Sequence, residues 1–155
     1  MIFLYAIALG SNRRSRHGSP AATVRAALDA LQPDRASSVH LTPALGPAGR
    51  SFANAAAVLT SRSEPPELLA QMKELERSFG RRAGRKWGPR TLDLDILLWS
   101  EGPWAESGIV IPHPEMRRRA FVLEPLAEIA PDWRDPLSGA TVRQLLFRLA
   151  RPARG

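Results

Sequence analysis

An α+β fold, an antiparallel sheet with helices packed on it, follows from three observations. Apolar residues recur in short runs at strand period and in longer runs at helical period. Those runs follow one another as strand, helix, strand, strand, helix, strand, with a further strand and helices behind them. Helix-starting and helix-stopping residues stand at the junctions. This β-α-β-β-α-β order is the ferredoxin-like split unit, whose helices cover a face of the sheet. The overall expectation is three layers, α-β-α, in a single domain over residues 1–155.

The first strand spans about Ile2 to Leu9 and ends at Gly10-Ser11-Asn12. It has no basic leader and is too short to cross a bilayer, so it reads as a buried strand. Ser19-Pro20 is an N-cap followed by proline at the first helical position. Val24, Ala27, Leu28 and Leu31 then recur at helical spacing until Pro33 stops them. Ala36 to Leu41 reads as one short strand with Val39 and Leu41 on a common face and His40 partly exposed. Thr42 to Ser51 is too rich in Pro and Gly for regular structure. Asn54 to Ser61 is the next strand, its alanines suiting close packing beneath a helix.

Ser63-Glu-Pro-Pro opens the second helix, with Leu68, Met72, Leu75 and Phe79 as its core stripe. Glu76 near its end reads as a surface partner for an arginine. Ser100-Glu-Gly-Pro-Trp104 is a turn, and Ile109 to Ile111 a short strand. Pro112-His113-Pro114 holds an imidazole between two residues of fixed φ. Glu115 to Ala130 reads as short helical turns broken at Pro125. Thr141-Val-Arg-Gln144 is a capping box opening the last amphipathic helix, on Val142, Leu145, Leu146 and Leu149.

Chemistry concentrates in Trp87-Gly-Pro-Arg-Thr-Leu-Asp-Leu-Asp-Ile-Leu-Leu98. In a strand, Leu92, Leu94, Ile96 and Leu98 share one face and Asp93 and Asp95 the other. Two carboxylates side by side on a core strand call for a counter-charge. A divalent, oxygen-preferring cation such as Mg²⁺ supplies it, since it is typically held by one or two carboxylates plus substrate phosphates. The plainer reading is a half-exposed strand that happens to carry aspartate twice. The preceding segment favours the metal: Arg77, Arg81, Arg82, Arg85, Lys86 and Arg90 come without an acid and are punctuated by Gly80, Gly84 and Gly88. Arginine forks suit phosphate oxygens. A solvated basic loop is the alternative.

The net charge of +7 and pI of about 11.3 point to an anionic partner. A nucleic-acid binder would spread that charge along a stripe and interleave it with aromatics; here it is bunched, and one tyrosine with five phenylalanines makes a poor stacking surface. Neither nucleic acid nor membrane is therefore expected as a partner. A metal-dependent phosphohydrolase remains a competitor for the aspartate pair. The chain has no cysteine, hence no disulfide or thiolate site, which suits a reducing cytoplasm.

The run Lys86 to Leu98 resembles the 6-hydroxymethyl-7,8-dihydropterin pyrophosphokinases of folate biosynthesis. Leu9-Gly-Ser-Asn12, Thr42 to Pro47, Phe52-Ala-Asn-Ala-Ala56, Ile111-Pro-His-Pro114 and Arg119-Ala-Phe-Val-Leu123 resemble the same family in the same order, from about residue 2 to residue 149. The resemblance implies transfer of pyrophosphate from ATP, the co-substrate, to the hydroxymethyl group of a reduced pterin. It implies two Mg²⁺ ions on Asp93 and Asp95, with Asp95 also beside the substrate, and catalytic arginines at Arg81 and Arg90. Arg81, Arg90, His113 and Arg119 would meet phosphates; Glu76, Trp87 and the backbone at Ile96 would also lie on the ATP side. Thr42, Pro43, Leu45 and Asn54 would meet the pterin edge, and Phe52 and Phe121 would sandwich its rings. Phe52 stands where a tyrosine is common, and Gly108 where some members carry a basic residue. Small-molecule substrates, a monomer and a cytoplasmic location are expected.

Overall fold

The fold is a computed structural model that describes residues 1–42, 51–80 and 91–151. The expectations at Pro43, Leu45, Arg81, Trp87 and Arg90 lie outside the described residues. The chain runs β1 (Phe3–Ser11), α1 (Pro20–Leu31), β2 (Arg35–Ala36), β3 (His40–Thr42), β4 (Phe52–Ser61), α2 (Pro65–Ser78), β5 (Asp93–Trp99), β6 (Trp104–Glu106) and β7 (Ile109–Ile111). A 3-10 turn (Met116–Arg118), α3 (Ala120–Ile129) and α4 (Val142–Ala150) complete it.

The caps form where the sequence puts them. The Ser19 hydroxyl accepts the Ala22 amide at 3.2 Å and Pro20 follows it. At α4, Thr141 Oγ1 accepts the Gln144 amide at 3.1 Å while Gln144 Oε1 accepts the Thr141 amide at 2.9 Å. Thr141→Ala is expected to cost about 1 kcal/mol. Urea unfolding measures this; an unchanged midpoint at unchanged slope would show that the box contributes nothing.

The main sheet has the order β2-β4-β1-β5, with β3 also paired to β4. Every pairing is antiparallel, from Phe3↔Ser61 to Ser11↔Ala53 for β1 on β4. With β2 and β3 counted as one broken edge, this is the sheet of the split unit, and the α+β class holds. The core has two parts. Tyr5, Ile7, Leu9, Ala55, Ala57, Leu94 and Ile96 pack beneath Val24 of α1 and Leu68 and Met72 of α2. Ala6, Ala56, Val58, Leu97 and Leu98 pack beneath Leu123 and Leu126 of α3 and Val142 and Leu145 of α4. The layers are therefore α-β-α, and the alanines of β4 admit helices on both faces. Among the described residues no helix is long and apolar enough to cross a membrane.

Several local expectations are corrected. Leu98 does not share the face of Leu94 and Ile96. The pairing slips between Ala6↔Leu98 and Ile7↔Ile96, leaving Leu97 as an extra residue, and a bulge reverses the alternation beyond it. The strand expected over Ala36–Leu41 splits into β2 and β3. Ser37 Oγ accepts the Ala56 amide at 2.9 Å in place of a ladder bond, and Leu41 is 65% exposed instead of facing the core with Val39.

Trp104 is in a strand, not a turn. Ser107 and Gly108 both take positive φ (58° and 74°), as a two-residue hairpin requires, and join β6 to β7. Pro125 does not break α3; it lies inside the helix and is itself buried. Burial of Val122, Leu123, Leu126 and Ile129 around it outweighs the one amide bond that proline cannot make.

Asp135 is fully buried and ties the 3-10 turn to the segment before α4. Arg117 Nε donates to its Oδ2 at 2.6 Å, Ser138 Oγ donates at 2.7 Å, and the Leu137 amide reaches Oδ1 at 3.0 Å. Burial alone would raise this carboxyl's pKa, but the hydroxyl, the amide and the Arg117 charge outweigh it and hold the group below its ordinary value.

Candidate active site

The site forms where the sheet runs past the N-terminus of α3. By strand parity Gly10 of β1, Asn54 of β4, and Asp93 and Asp95 of β5 all point to the α3 side. Helix α3 begins only at Ala120, so these positions are left uncovered. The result is a cavity of about 570 Å³, with Asp93, Asp95 and Asn54 on its floor and Phe52, Arg119 and Phe121 around it.

Asp93, Gly10 and Asn54 are register partners and form one row across three strands. At the usual spacing between strands that row is roughly 10 Å long. Its middle residue has to be small: a Cβ on Gly10 would stand 3.1 Å from Asn54 Oδ1. Asn54 is 8% exposed, held by its strand, with its side chain against the cavity. Phe52 and Phe121 are 46% and 45% exposed, far more than core phenylalanines would be. The Arg119 guanidinium lies 5.7 Å from the centre of the Phe121 ring.

A second cavity, of about 270 Å³, adjoins the first and shares Asp95, Leu94 and Leu69 with it. Ile96, His113, Gly108 and Val110 complete much of its wall, which is mainly apolar. His113 is fixed at three points. It stands between two prolines, its amide donates to Leu97 O at 3.0 Å, and its Nδ1 accepts the Glu115 amide at 3.1 Å. In the neutral ring the proton therefore sits on Nε2. That atom lies 3.8 Å from Asp95 Oδ1, so a donor and a carboxylate face each other where the two cavities meet.

Asp93 is exposed and the side chain of Asp95 is 48% exposed. They are not buried carboxylates in need of a counter-charge inside the core, as the strand pattern alone suggests; both line the cavity and reach solvent. Among the described residues there is no group of three or more His, Cys, Asp or Glu that could hold a metal ion. Two adjacent, accessible carboxylates still fit Mg²⁺, which usually keeps waters and takes further oxygens from substrate phosphates.

Glu76 is not a surface residue. It is 7% exposed, and its Oε2 accepts the Leu94 amide at 2.8 Å. Helix α2 packs on the opposite face of the sheet, but among the described residues β5 is an edge strand, and Leu69, Lys73 and Glu76 reach round that edge to line the first cavity. Their 69, 73, 76 spacing is a helical stripe beside the core stripe of α2. That periodicity was legible in the sequence; which stripe faces the site was not. Thr42 is exposed at the end of β3 and pairs with Phe52, beside the rim. Beneath it, Glu128 of α3 accepts Ser38 Oγ at 2.6 Å and lies 3.0 Å from His40 Nε2, fixing β3 to the helix that begins at Ala120. Burial would raise the Glu128 pKa, but the bonds from Ser38 and His40 win and lower it.

Residues 6–131 match the 7,8-dihydro-6-hydroxymethylpterin-pyrophosphokinase family. The chain is 45% identical over 116 residues to a 2-amino-4-hydroxy-6-hydroxymethyldihydropteridine pyrophosphokinase of Synechocystis sp., covering 75% of this chain and 60% of that protein. It is 41% identical over 137 residues to the protein of the same name from Pseudomonas aeruginosa, covering 84% and 82% of the two chains. With the one from Methylorubrum extorquens it shares 36% identity over 146 residues, 92% and 91% of the two lengths. The Synechocystis relative thus extends well beyond the matched region. This chain belongs to the 7,8-dihydro-6-hydroxymethylpterin-pyrophosphokinase family.

Proposed function

We propose that the site transfers a pyrophosphoryl group from ATP to 6-hydroxymethyl-7,8-dihydropterin, releasing AMP and the pterin diphosphate, as a step of folate biosynthesis. One observation carries this reading: two adjoining cavities, one polar-floored and rimmed by exposed phenylalanines, the other mainly apolar, meet at Asp95. The first takes the pterin. Phe52 and Phe121 stack on its faces, and Asn54 offers both a donor and an acceptor to its aminopyrimidine edge. The family resemblance assigns Thr42, and Pro43 and Leu45 outside the described residues, to that edge too. The second takes the nucleotide, with its base near Ile96 and its phosphates running towards Asp95, Arg119 and Nε2 of His113. The family resemblance assigns Trp87, outside the described residues, to the ATP as well.

The reaction is a displacement at the β-phosphorus. The pterin hydroxyl oxygen bonds to that phosphorus, the bond to the bridging oxygen on the α-phosphate breaks, and AMP leaves. Asp95 accepts the hydroxyl proton directly or through water. Asp93 and Asp95 are the protein carboxylates that would hold Mg²⁺, two ions in this reading. When bound, Mg²⁺ would neutralise phosphate charge. Arg81 and Arg90 add positive charge where it develops during transfer, which is the main demand of phosphoryl chemistry. The phosphohydrolase alternative uses the same aspartates but has no need of the Phe52–Asn54–Phe121 cluster.

Incubation with ATP, Mg²⁺ and hydroxymethyl-dihydropterin is expected to yield AMP only when the pterin is present. Release of ADP, or AMP release independent of pterin, would favour hydrolysis. Asn54→Ala and Phe121→Ala are each expected to weaken pterin binding at least ~10-fold, about 1.4 kcal/mol. A non-hydrolysable ATP analogue should bind both variants almost normally. Calorimetry with each ligand decides; undiminished pterin affinity would place its pocket elsewhere.

A further inference from the structure

The Glu76 carboxylate lies at the base of the segment that joins α2 to β5. Its bond to the Leu94 amide spans that base, since residues 79–92 separate the helix end from the strand. A second tie lies beside it, where Thr91 Oγ1 donates to the Phe79 carbonyl. Leu94 is the residue between Asp93 and Asp95, and its amide faces the free edge of the sheet. On that edge no neighbouring strand among the described residues holds β5, and the Glu76 side chain supplies the acceptor that a ladder bond would otherwise give. Glu76 can do this from a buried position because α2 is clamped by Leu68 and Met72 in the first core.

We infer that Glu76 is a positioning residue: by fixing the Leu94 amide it sets the reach and spacing of the two carboxylates on either side, and so the affinity of the site for Mg²⁺·nucleotide. What it supplies is a hydrogen-bond acceptor at the right distance rather than a negative charge facing the ligand. Anchored ligands lose less freedom on binding than ligands on a loose strand edge, which is how supporting bonds act on metal sites. This inference rests on the reading of Asp93 and Asp95 as the metal-holding pair.

Two conservative variants separate distance from charge. Glu76→Gln keeps the acceptor at the same reach without the charge; Glu76→Asp keeps the charge one methylene too short. Titrating Mg²⁺ into the protein with a non-hydrolysable ATP analogue, by calorimetry, reads metal affinity without turnover. Positioning predicts that Glu76→Gln stays within about threefold of wild type, whereas Glu76→Asp loses about tenfold, or 1.4 kcal/mol. Pterin affinity measured without Mg²⁺ should move less than threefold in both. Amide exchange at Leu94 should stay slow in Glu76→Gln and become fast in Glu76→Asp. The reverse order of metal affinities, or equal affinities in both variants, would overturn the inference. Equal loss of pterin and metal binding in Glu76→Asp would also overturn it, by showing general loosening of the fold. Absence of Mg²⁺·nucleotide binding by the wild-type protein would instead overturn the reading of the aspartate pair.

Discussion

Asp95→Ala is expected to lower turnover at least ~100-fold, the order of loss seen when a preorganised charge-stabilising group is removed. Three features make this position more sensitive than its neighbours. Asp95 lines both cavities, so it stands where the donor and acceptor substrates would meet in the proposed reaction. It faces His113 Nε2 at 3.8 Å, the one imidazole fixed in this part of the site among the described residues. Its side chain is half exposed, so no core contact is lost with it. The melting temperature should accordingly stay within a few degrees of wild type, because surface substitutions away from core features usually change stability by no more than about 0.5 kcal/mol. The measurement is initial-rate AMP release at several Mg²⁺ concentrations, beside a thermal melt. Near-normal activity at low Mg²⁺ would remove Asp95 from the catalytic centre, and a collapsed melting temperature would make the loss structural.

Asp135→Ala should be the most damaging change to stability, about 3 kcal/mol. It removes a fully buried acceptor and strands Arg117 Nε, Ser138 Oγ and the Leu137 amide at once. Arg117 remains a third exposed and can regain water, which keeps the cost at the lower end for a broken buried pair. For a chain of this length the melting temperature falls by roughly 6–12 °C. The pH dependence has a definite sign. The folded-state pKa of Asp135 is lowered, so its contribution is complete above the ordinary carboxylate pKa of about 3.9 and disappears as pH falls through the lower folded value. Wild type therefore loses this share of stability only under acid conditions, and Asp135→Asn should show a flatter acid limb in denaturation against pH. Parallel acid limbs for the two proteins would mean that the carboxylate is not ionised in the native state.

Much of this protein was legible in its sequence, for physical reasons that are local. Caps at Ser19 and Thr141 declare themselves because a hydroxyl at that place satisfies an otherwise orphaned helix amide. Alternation around Leu94 and Ile96 puts Asp93 and Asp95 on the opposite side because a pleated strand leaves them nowhere else to point. The order of elements then gives the split unit and its antiparallel sheet. The family resemblance, spread over segments in fixed order, fixed the chemistry, and exposed Phe52 and Phe121 at the rim suit the pterin-stacking part it gave them.

Tertiary structure decided what depends on partners distant in sequence. The bulge at Leu97 turns Leu98 to the second core because β1 and β5 have to stay paired past an extra residue. Pro125 is absorbed into α3 because burial on both sides of it exceeds the loss of a single bond. Glu76 reads as a surface charge along the chain, yet becomes a buried acceptor for Leu94. Only the sheet order reveals that β5 is the last strand on its side among the described residues, and only the packing of α2 brings a carboxylate round that edge to meet it. Sequence period says which way a side chain points from its own element; what it meets there is set by the neighbour that packing supplies.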